Sequence, residues 1–230
     1  MRQQIRRMIR RLGFDVARTR PRLVDFLADR GVDQVIDVGA NTGQFASELR
    51  HNGYTGNIIS LEPVSSVFAV LEQNAAGDDK WRALKVGAGA RSEEVEIHVS
   101  EDTRFSSINA MTAAAEEFDV HSRAVASETI SIKTLDELFA DLAGTIFLKI
   151  DTQGHEPNVI AGAGQFLSRV CGVQMELPCI QLYEGSWSFG EAVNRMEASG
   201  FKIFQMEPVN YSKADPVALV ELDIVFGRPR

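Results

Sequence analysis

Val35-Ile36-Asp37-Val38-Gly39-Ala40-Asn41-Thr42-Gly43 sets an apolar strand directly before a glycine-flanked turn and the start of a helix. Val35, Ile36 and Val38 suit a strand buried on both faces, as in a parallel sheet, where apolar residues need not alternate with polar ones. Gly39 lets a ligand approach the backbone, and Asn41 or Thr42 can cap the helix that begins near Gly43. Any ligand then sits at the carboxyl end of the strand. Ile58-Ile59-Ser60-Leu61-Glu62 reads as a second strand, about twenty residues on, where an acidic side chain can accept hydrogen bonds from a ribose diol. Together the two strand ends point to an adenosine-containing cofactor.

The turn narrows the choice of cofactor. A dinucleotide fingerprint requires G-x-G-x-x-G, with a middle glycine that admits the pyrophosphate, and Asn41 stands there. A phosphate loop requires Lys-Ser/Thr after the second glycine, and Gln44-Phe45 stands there. Gly-x-Asn-x-Gly therefore fits a cofactor without phosphates, which favours S-adenosylmethionine over NAD.

At 230 residues the chain suits one sizeable α/β domain. The two cysteines, Cys171 and Cys179, lie in or beside an apolar strand and read as buried thiols of a reducing, cytoplasmic compartment, with neither a disulfide framework nor a zinc site implied. No apolar run approaches the roughly 20 residues that span a bilayer. Charge is uneven: residues 1–22 hold eight arginines against Asp15, a net +7, which leaves −15 for the rest of a chain whose total is −8. Ile5, Met8, Ile9 and Leu12 fall at helical spacing among those arginines, so residues 1–12 predict a basic amphipathic helix that can contact an anionic membrane or dock on the acidic body. That acidic body disfavours nucleic acid as a partner.

Residues 1–30 thus carry two helices, the second over Arg22–Arg30, ahead of one α/β domain over 31–230. Strands are expected at 34–38, 58–61, 83–86, 146–150, 172–177, 201–205 and 219–226, with helices at about 42–51, 64–74, 158–167 and 189–199 between them. This alternation predicts a seven-stranded, mostly parallel sheet of Rossmann-like type covered by helices on both faces. Val95-Glu96-Ile97-His98-Val99 alternates cleanly and predicts an accessory strand that pairs with Thr129–Ile132. Residues 100–127 lack strong periodicity apart from a short helix near Thr112–Phe118, and a long loop beside a pocket suits a substrate lid. Thr134 and Glu137 form a capping box for a further short helix.

Lys149-Ile150-Asp151-Thr152-Gln153-Gly154-His155-Glu156 places ionisable groups at the end of an apolar strand, where ligands bind in open α/β sheets. Glu176 ends the neighbouring strand. If these strands flank the crevice, Asp151, His155 and Glu176 converge on a reactive methyl group. His155 is the expected general base because its ordinary pKa lies near neutrality. Asp151 is expected to orient it, to accept the substrate hydroxyl, or to hold a Mg2+ ion with Glu176. His155 as a turn cap, with Asp151 bonding backbone amides, is the alternative.

Over Val35–Phe226 these segments, with Glu62-Pro63, Ser106-Ser107 and Thr134-Leu135-Asp136-Glu137-Leu138, resemble the FkbM family of S-adenosylmethionine-dependent methyltransferases. The resemblance implies a class I methyltransferase sheet and O-methylation, commonly of sugar hydroxyls in glycolipids, polysaccharides or macrolide-type natural products. It also implies that Gly39, Asn41 and Gly43 line the methionine end, that Glu62 holds the ribose and that Asp151 faces the reaction centre. Replacing Asp37 or Glu62 is accordingly expected to weaken cofactor binding, and replacing His155 to slow transfer alone. Many family members carry Val-Glu where Thr152-Gln153 stands, which removes an acidic group from any metal site. Tyr183 and Trp187, in a segment similar to members that act on envelope glycolipid sugars, are candidates to stack on a sugar or to pack a loop. A nicotinamide oxidoreductase and a catalytically silent cofactor-binding scaffold are the competing classes.

Overall fold

The chain is described as a computed structural model covering residues 21–112, 124–212 and 215–230. Helix α1 (Leu23–Arg30) leads through β1 (Gln34–Val38) to α2 (Gln44–His51), β2 (Asn57–Leu61), α3 (Ser65–Ala75) and β3 (Trp81–Leu84). A short β4 (Gly87–Ala88), β5 (Glu93–Ser100), a 3-10 turn at Thr103–Phe105 and β6 (Ala124–Lys133) follow. The chain then runs through α4 (Leu135–Leu138), β7 (Ile146–Ile150), α5 (Glu156–Ala161), α6 (Phe166–Arg169), β8 (Val170–Pro178), α7 (Phe189–Ala198), β9 (Lys202–Tyr211) and β10 (Leu219–Gly227).

Seven strands form one sheet in the order β3-β2-β1-β7-β8-β10-β9. The first five run parallel, and β10 lies antiparallel between β8 and β9. Because the chain order reverses between β1 and β7, their carboxyl tips open a crevice at the switch point. The expected seven-stranded α/β sheet is therefore present, with helices on both faces. Phe26 and Leu27 of α1, Leu49 of α2 and Leu71 of α3 pack with Val35, Ile58, Phe147 and Val225 on one side. On the other side Leu135, Val159, Phe166 and Met196, from α4 to α7, pack with Ile36, Leu148, Met175 and Ile224.

The accessory strands also pair as expected, β5 antiparallel to β6, with β4 added parallel to β6. Ile97, Ile130 and Ile132 of this small sheet pack on Val64 and Val67 at the start of α3. The basic helix expected over residues 1–12, and most of the short helix expected near Thr112–Phe118, lie outside the described residues.

Several expectations need correction. The single helix expected over Asn158–Leu167 is two short helices: the Asp136 carboxylate accepts hydrogen bonds from Gln165 N (3.1 Å) and Phe166 N (2.6 Å), which starts α6 separately. Strand β3 begins at Trp81, whose indole nitrogen donates to Ser60 Oγ at 3.0 Å. Strand β9 continues to Tyr211, because β10 offers it a partner over its length. Thr134 caps α4 through Glu137 N (3.1 Å), but the Glu137 carboxylate turns to Ser92 and Lys133, so the box is half made. Both cysteines are free, yet Cys171 is only half-buried and Cys179, beyond the end of β8, is exposed. No helix among the described residues is long and apolar enough to cross a membrane.

Candidate active site

A cleft of about 720 Å³ opens over the carboxyl tips of β1, β2, β7 and β8, a volume typical of small-molecule sites. Gln44 and Phe45 of α2 line it together with Ile97, Ile130 and Ile132 of the small sheet, and with Asn210, Tyr211 and Glu221 from β9 and β10.

At the β1 exit, Gly39 has φ +77°, and a Cβ there would lie 1.8 Å from the carbonyl oxygen of Asp151. Close approach of two strand tips demands this glycine, in addition to any approach by a ligand. Asn41 sits at φ +48°, a left-handed conformation asparagine tolerates. Its Oδ1 accepts from Thr42 N at 2.8 Å, and its Nδ2 donates to Thr103 Oγ1 at 3.2 Å, which ties the turn to the loop after β5. Gly43 does not line the cleft; a Cβ there would overlap Trp81 and Leu71, so packing behind the turn accounts for it.

Asp37 also stands apart from the cleft. It is fully buried, accepts from Ser60 Oγ at 3.2 Å and pairs with Lys149 Nζ at 3.4 Å. Glu62 does line the cleft. Its carboxylate accepts from Asn41 N (3.0 Å) and Val64 N (2.9 Å), and burial, only partly offset by those bonds, pushes its pKa up to about 7. Each oxygen retains acceptor capacity for a further donor.

Asp151 is fixed from two sides. Gln153 Nε2 donates to its Oδ1 at 2.7 Å, and Lys149 Nζ lies 3.3 Å from its Oδ2. Gln153 is itself held by the Tyr183 hydroxyl, which donates to Oε1 at 2.6 Å. Burial alone would lower the Lys149 pKa, but Asp151 and Asp37 outweigh it and hold the pKa above its ordinary value, so this lysine stays charged. The turn that carries Asp151 is braced by Glu156, whose Oε1 accepts from Thr152 N, Thr152 Oγ1 and Gly154 N at 2.9 to 3.2 Å.

Glu176 joins Asp151 in the cleft, and β10 adds two further carboxyls. Asp223 lies opposite Glu176 in the β8–β10 register, with Glu221 one alternation further along. Burial, then the Asp151 charge, pushes the Glu176 pKa up to about 10, and Glu176 shares a hydrogen bond with Glu221. Burial likewise raises Asp223 to about 6. Asn210 Nδ2 donates to Glu221 Oε2 at 2.7 Å.

His155 lines the cleft but does not converge with Asp151 and Glu176. It precedes α5, its Nδ1 lies 3.1 Å from Asn158 Nδ2, and its Nε2 faces Gly89. Burial lowers its pKa, and the charge acting on it is Glu93 of the small sheet. Tyr183 is buried and Trp187 packs on the core, so both serve the protein interior. The Mg2+ expectation finds no support. Among the described residues no group of three or more His, Cys, Asp or Glu is arranged to hold a metal ion.

Lys149, Gln153, Gln174, Glu221 and Asp223 are the cleft residues that the sequence reading passed over. One signal could have found three of them, Gln174, Glu221 and Asp223: in strands that should be buried on both faces, Gln174-Met175-Glu176 and Glu221-Leu222-Asp223 repeat a polar residue at every second position.

In solved structures, the chain is similar to magnesium protoporphyrin IX methyltransferase from Synechocystis PCC 6803, crystallised with bound SAM, at 10% identity and a TM-score of 0.50 over 99% of this chain and 81% of that one. An rRNA methylase from Streptococcus thermophilus matches at 11% identity and a TM-score of 0.49 over 94% and 100%. The first likeness shows a class I methyltransferase fold. No curated protein is significantly similar in sequence. The model of the methyltransferase FkbM domain matches residues 37–203, from the Asp37 turn through the Asp151 tip and most of the sheet. On that match, which spans well over half of its length, the chain belongs to the FkbM methyltransferase family.

Proposed function

We propose that this protein transfers a methyl group from S-adenosylmethionine to a sugar hydroxyl in a glycolipid, polysaccharide or glycosylated natural product. One observation carries this reading: a nucleoside-sized cleft bounded by Glu62 runs, without a basic residue in the turn of residues 39–45, into a floor of hydrogen-bond acceptors that begins at Asp151. The cleft volume and the spare acceptor capacity of the buried Glu62 carboxylate fit the cofactor. Asn41 and the β1 turn would hold it together with Glu62. When bound, the sulfonium supplies a methyl group that is already activated.

The chain's own task is then alignment and proton handling. Asp151, locked by Gln153 and Lys149, receives the acceptor hydroxyl at its carboxylate and draws the proton from it. In this reading Asp151 takes the role first expected of His155, which sits beside Gly89 and Glu93. The two free cysteines suit a reducing cytoplasm, and the basic segment 1–12 brings the protein to anionic membrane surfaces that carry lipid-linked acceptors.

Purified protein, methyl-labelled donor and glycan or lipid extracts test the activity directly, with mass spectrometry for one added methylene. S-adenosylhomocysteine should raise the melting temperature, since a ligand specific for the folded state stabilises it, and NAD should not. Absence of S-adenosylhomocysteine binding would overturn the reading. Deleting residues 1–12 should reduce partitioning onto anionic vesicles; unchanged partitioning removes the membrane role alone.

A further inference from the structure

We propose that the β8–β10 floor of the cleft is a subsite for a primary ammonium group, so that the acceptor is an amino sugar or another hydroxyl compound bearing an amine. This rests on the cleft being the methyl-transfer site.

The charge census of the cleft is the first observation. Among the described lining residues the carboxylates are Glu48, Glu62, Asp151, Glu176, Glu221 and Asp223, and the lysine and arginine side chains are Lys149 and Arg104. Lys149 is committed to Asp37 and Asp151, and Arg104 to Asp102 at 2.5 Å. Three carboxyls of the floor, Glu176, Glu221 and Asp223, are left to face one another across β8 and β10. Buried carboxyls are costly to ionise together: burial raises all three, and the charge of Lys149 offsets this only in part, at Asp223.

Gln174 supplies the second, independent observation. It lies on the same face of β8 as Glu176, two residues earlier, and is only 9% exposed. Its amide bonds Asp223, yet its Oε1 has no hydrogen-bond partner. A buried acceptor without a partner, on a residue that lines a cleft, calls for a donor from a ligand. An ammonium group carries three N–H donors and one positive charge. It satisfies Gln174 Oε1, bonds Asp223, and supplies the charge that lets the Glu176–Glu221 pair release its shared proton. A neutral hydroxyl offers one donor and adds no positive charge to the carboxyls. Tyr211, 49% exposed at the rim of the same cleft, offers an aromatic face to the ring that bears the amine.

The same chemistry exists in the α-amino group of the methyl donor, so the test begins with protein saturated by S-adenosylhomocysteine. Glucosamine, N-acetylglucosamine and glucose are titrated into it by calorimetry in buffers of differing ionisation enthalpy. We expect saturable glucosamine binding with proton release, and at least about tenfold weaker binding of the two neutral sugars, the size of one lost charge-assisted hydrogen bond. Asp223→Asn and Gln174→Leu should each abolish the preference for glucosamine without changing the affinity for S-adenosylhomocysteine. Equal affinity for the three sugars, no saturable glucosamine binding, or retention of the preference in both variants would overturn the proposal. Displacement of S-adenosylhomocysteine by glucosamine would assign the carboxyls to the donor and overturn it as well. Failure of S-adenosylhomocysteine itself to bind would instead strike the proposed function.

Discussion

Gly39 shows how much a single position can carry. Its left-handed φ and the 1.8 Å gap between a would-be Cβ and the Asp151 carbonyl combine two penalties, so Gly39→Ala should destabilise the fold by at least about 3 kcal/mol in urea denaturation. A tolerated alanine would show that the strand tips can part freely. In the proposed reading Gln153 acts on chemistry instead. Gln153→Leu removes the bond to Asp151 and the anchor to Tyr183, and should lower kcat/KM about tenfold while S-adenosylhomocysteine affinity stays constant. An equal loss of both would make Gln153 part of the donor pocket. Asp37, Gly39, Asn41 and Glu62 could be picked from the sequence because strand, turn and acidic strand end are local patterns. Their division into cleft wall and buried support was not legible, since it depends on Lys149, whose register opposite Asp37 is a long-range fact.

Among the elements, α1 has an outsized part. Phe26 meets Phe147 and Phe204 edge to face, with centroids 5.8 and 5.6 Å apart, and lies against Gly172 and Gly227, where a Cβ would strike its ring. One side chain therefore joins β7, β8, β9 and β10. Phe26→Ala should cost about 3–5 kcal/mol by denaturant titration; a cost below about 1 kcal/mol would mean that the sheet holds without the helix. Existence and type of the strands and principal helices could be read from periodicity. The break between α5 and α6 could not, because it comes from Asp136, about thirty residues away, bonding Gln165 and Phe166. The full extent of β9 was equally hidden: its exposed outer residues give no buried alternation until β10 is known to lie beside it.

Across the whole molecule, pH sets stability in an unusual direction. Glu62 rises from 4.5 to about 7 and Asp223 from 3.8 to about 6 on folding. The native state therefore binds more protons than the unfolded state between those limits, and stability falls as pH climbs through them. Glu62 alone accounts for about 3 kcal/mol. Apo-protein melting temperature should drop from about pH 4.5 to about pH 7, and a flat or rising profile would contradict the burial of these groups. Since Asp151 is proposed to take the hydroxyl proton by itself, methyl transfer should survive exhaustive chelation; loss of turnover restored by Mg2+ would overturn that role.

The position of β10 has a consequence for how relatives diverge. Glu221 and Asp223 belong to the final strand of the chain, inserted antiparallel against β8, and lie beyond the stretch matched by the family model, which ends at residue 203. In the proposed reading the matched stretch equips the donor pocket, while the β9–β10 hairpin finishes the opposite bank. Such a layout makes the hairpin an exchangeable cassette: grafting residues 204–230 from one relative onto another should transplant the taste for acceptors and leave the methyl source untouched.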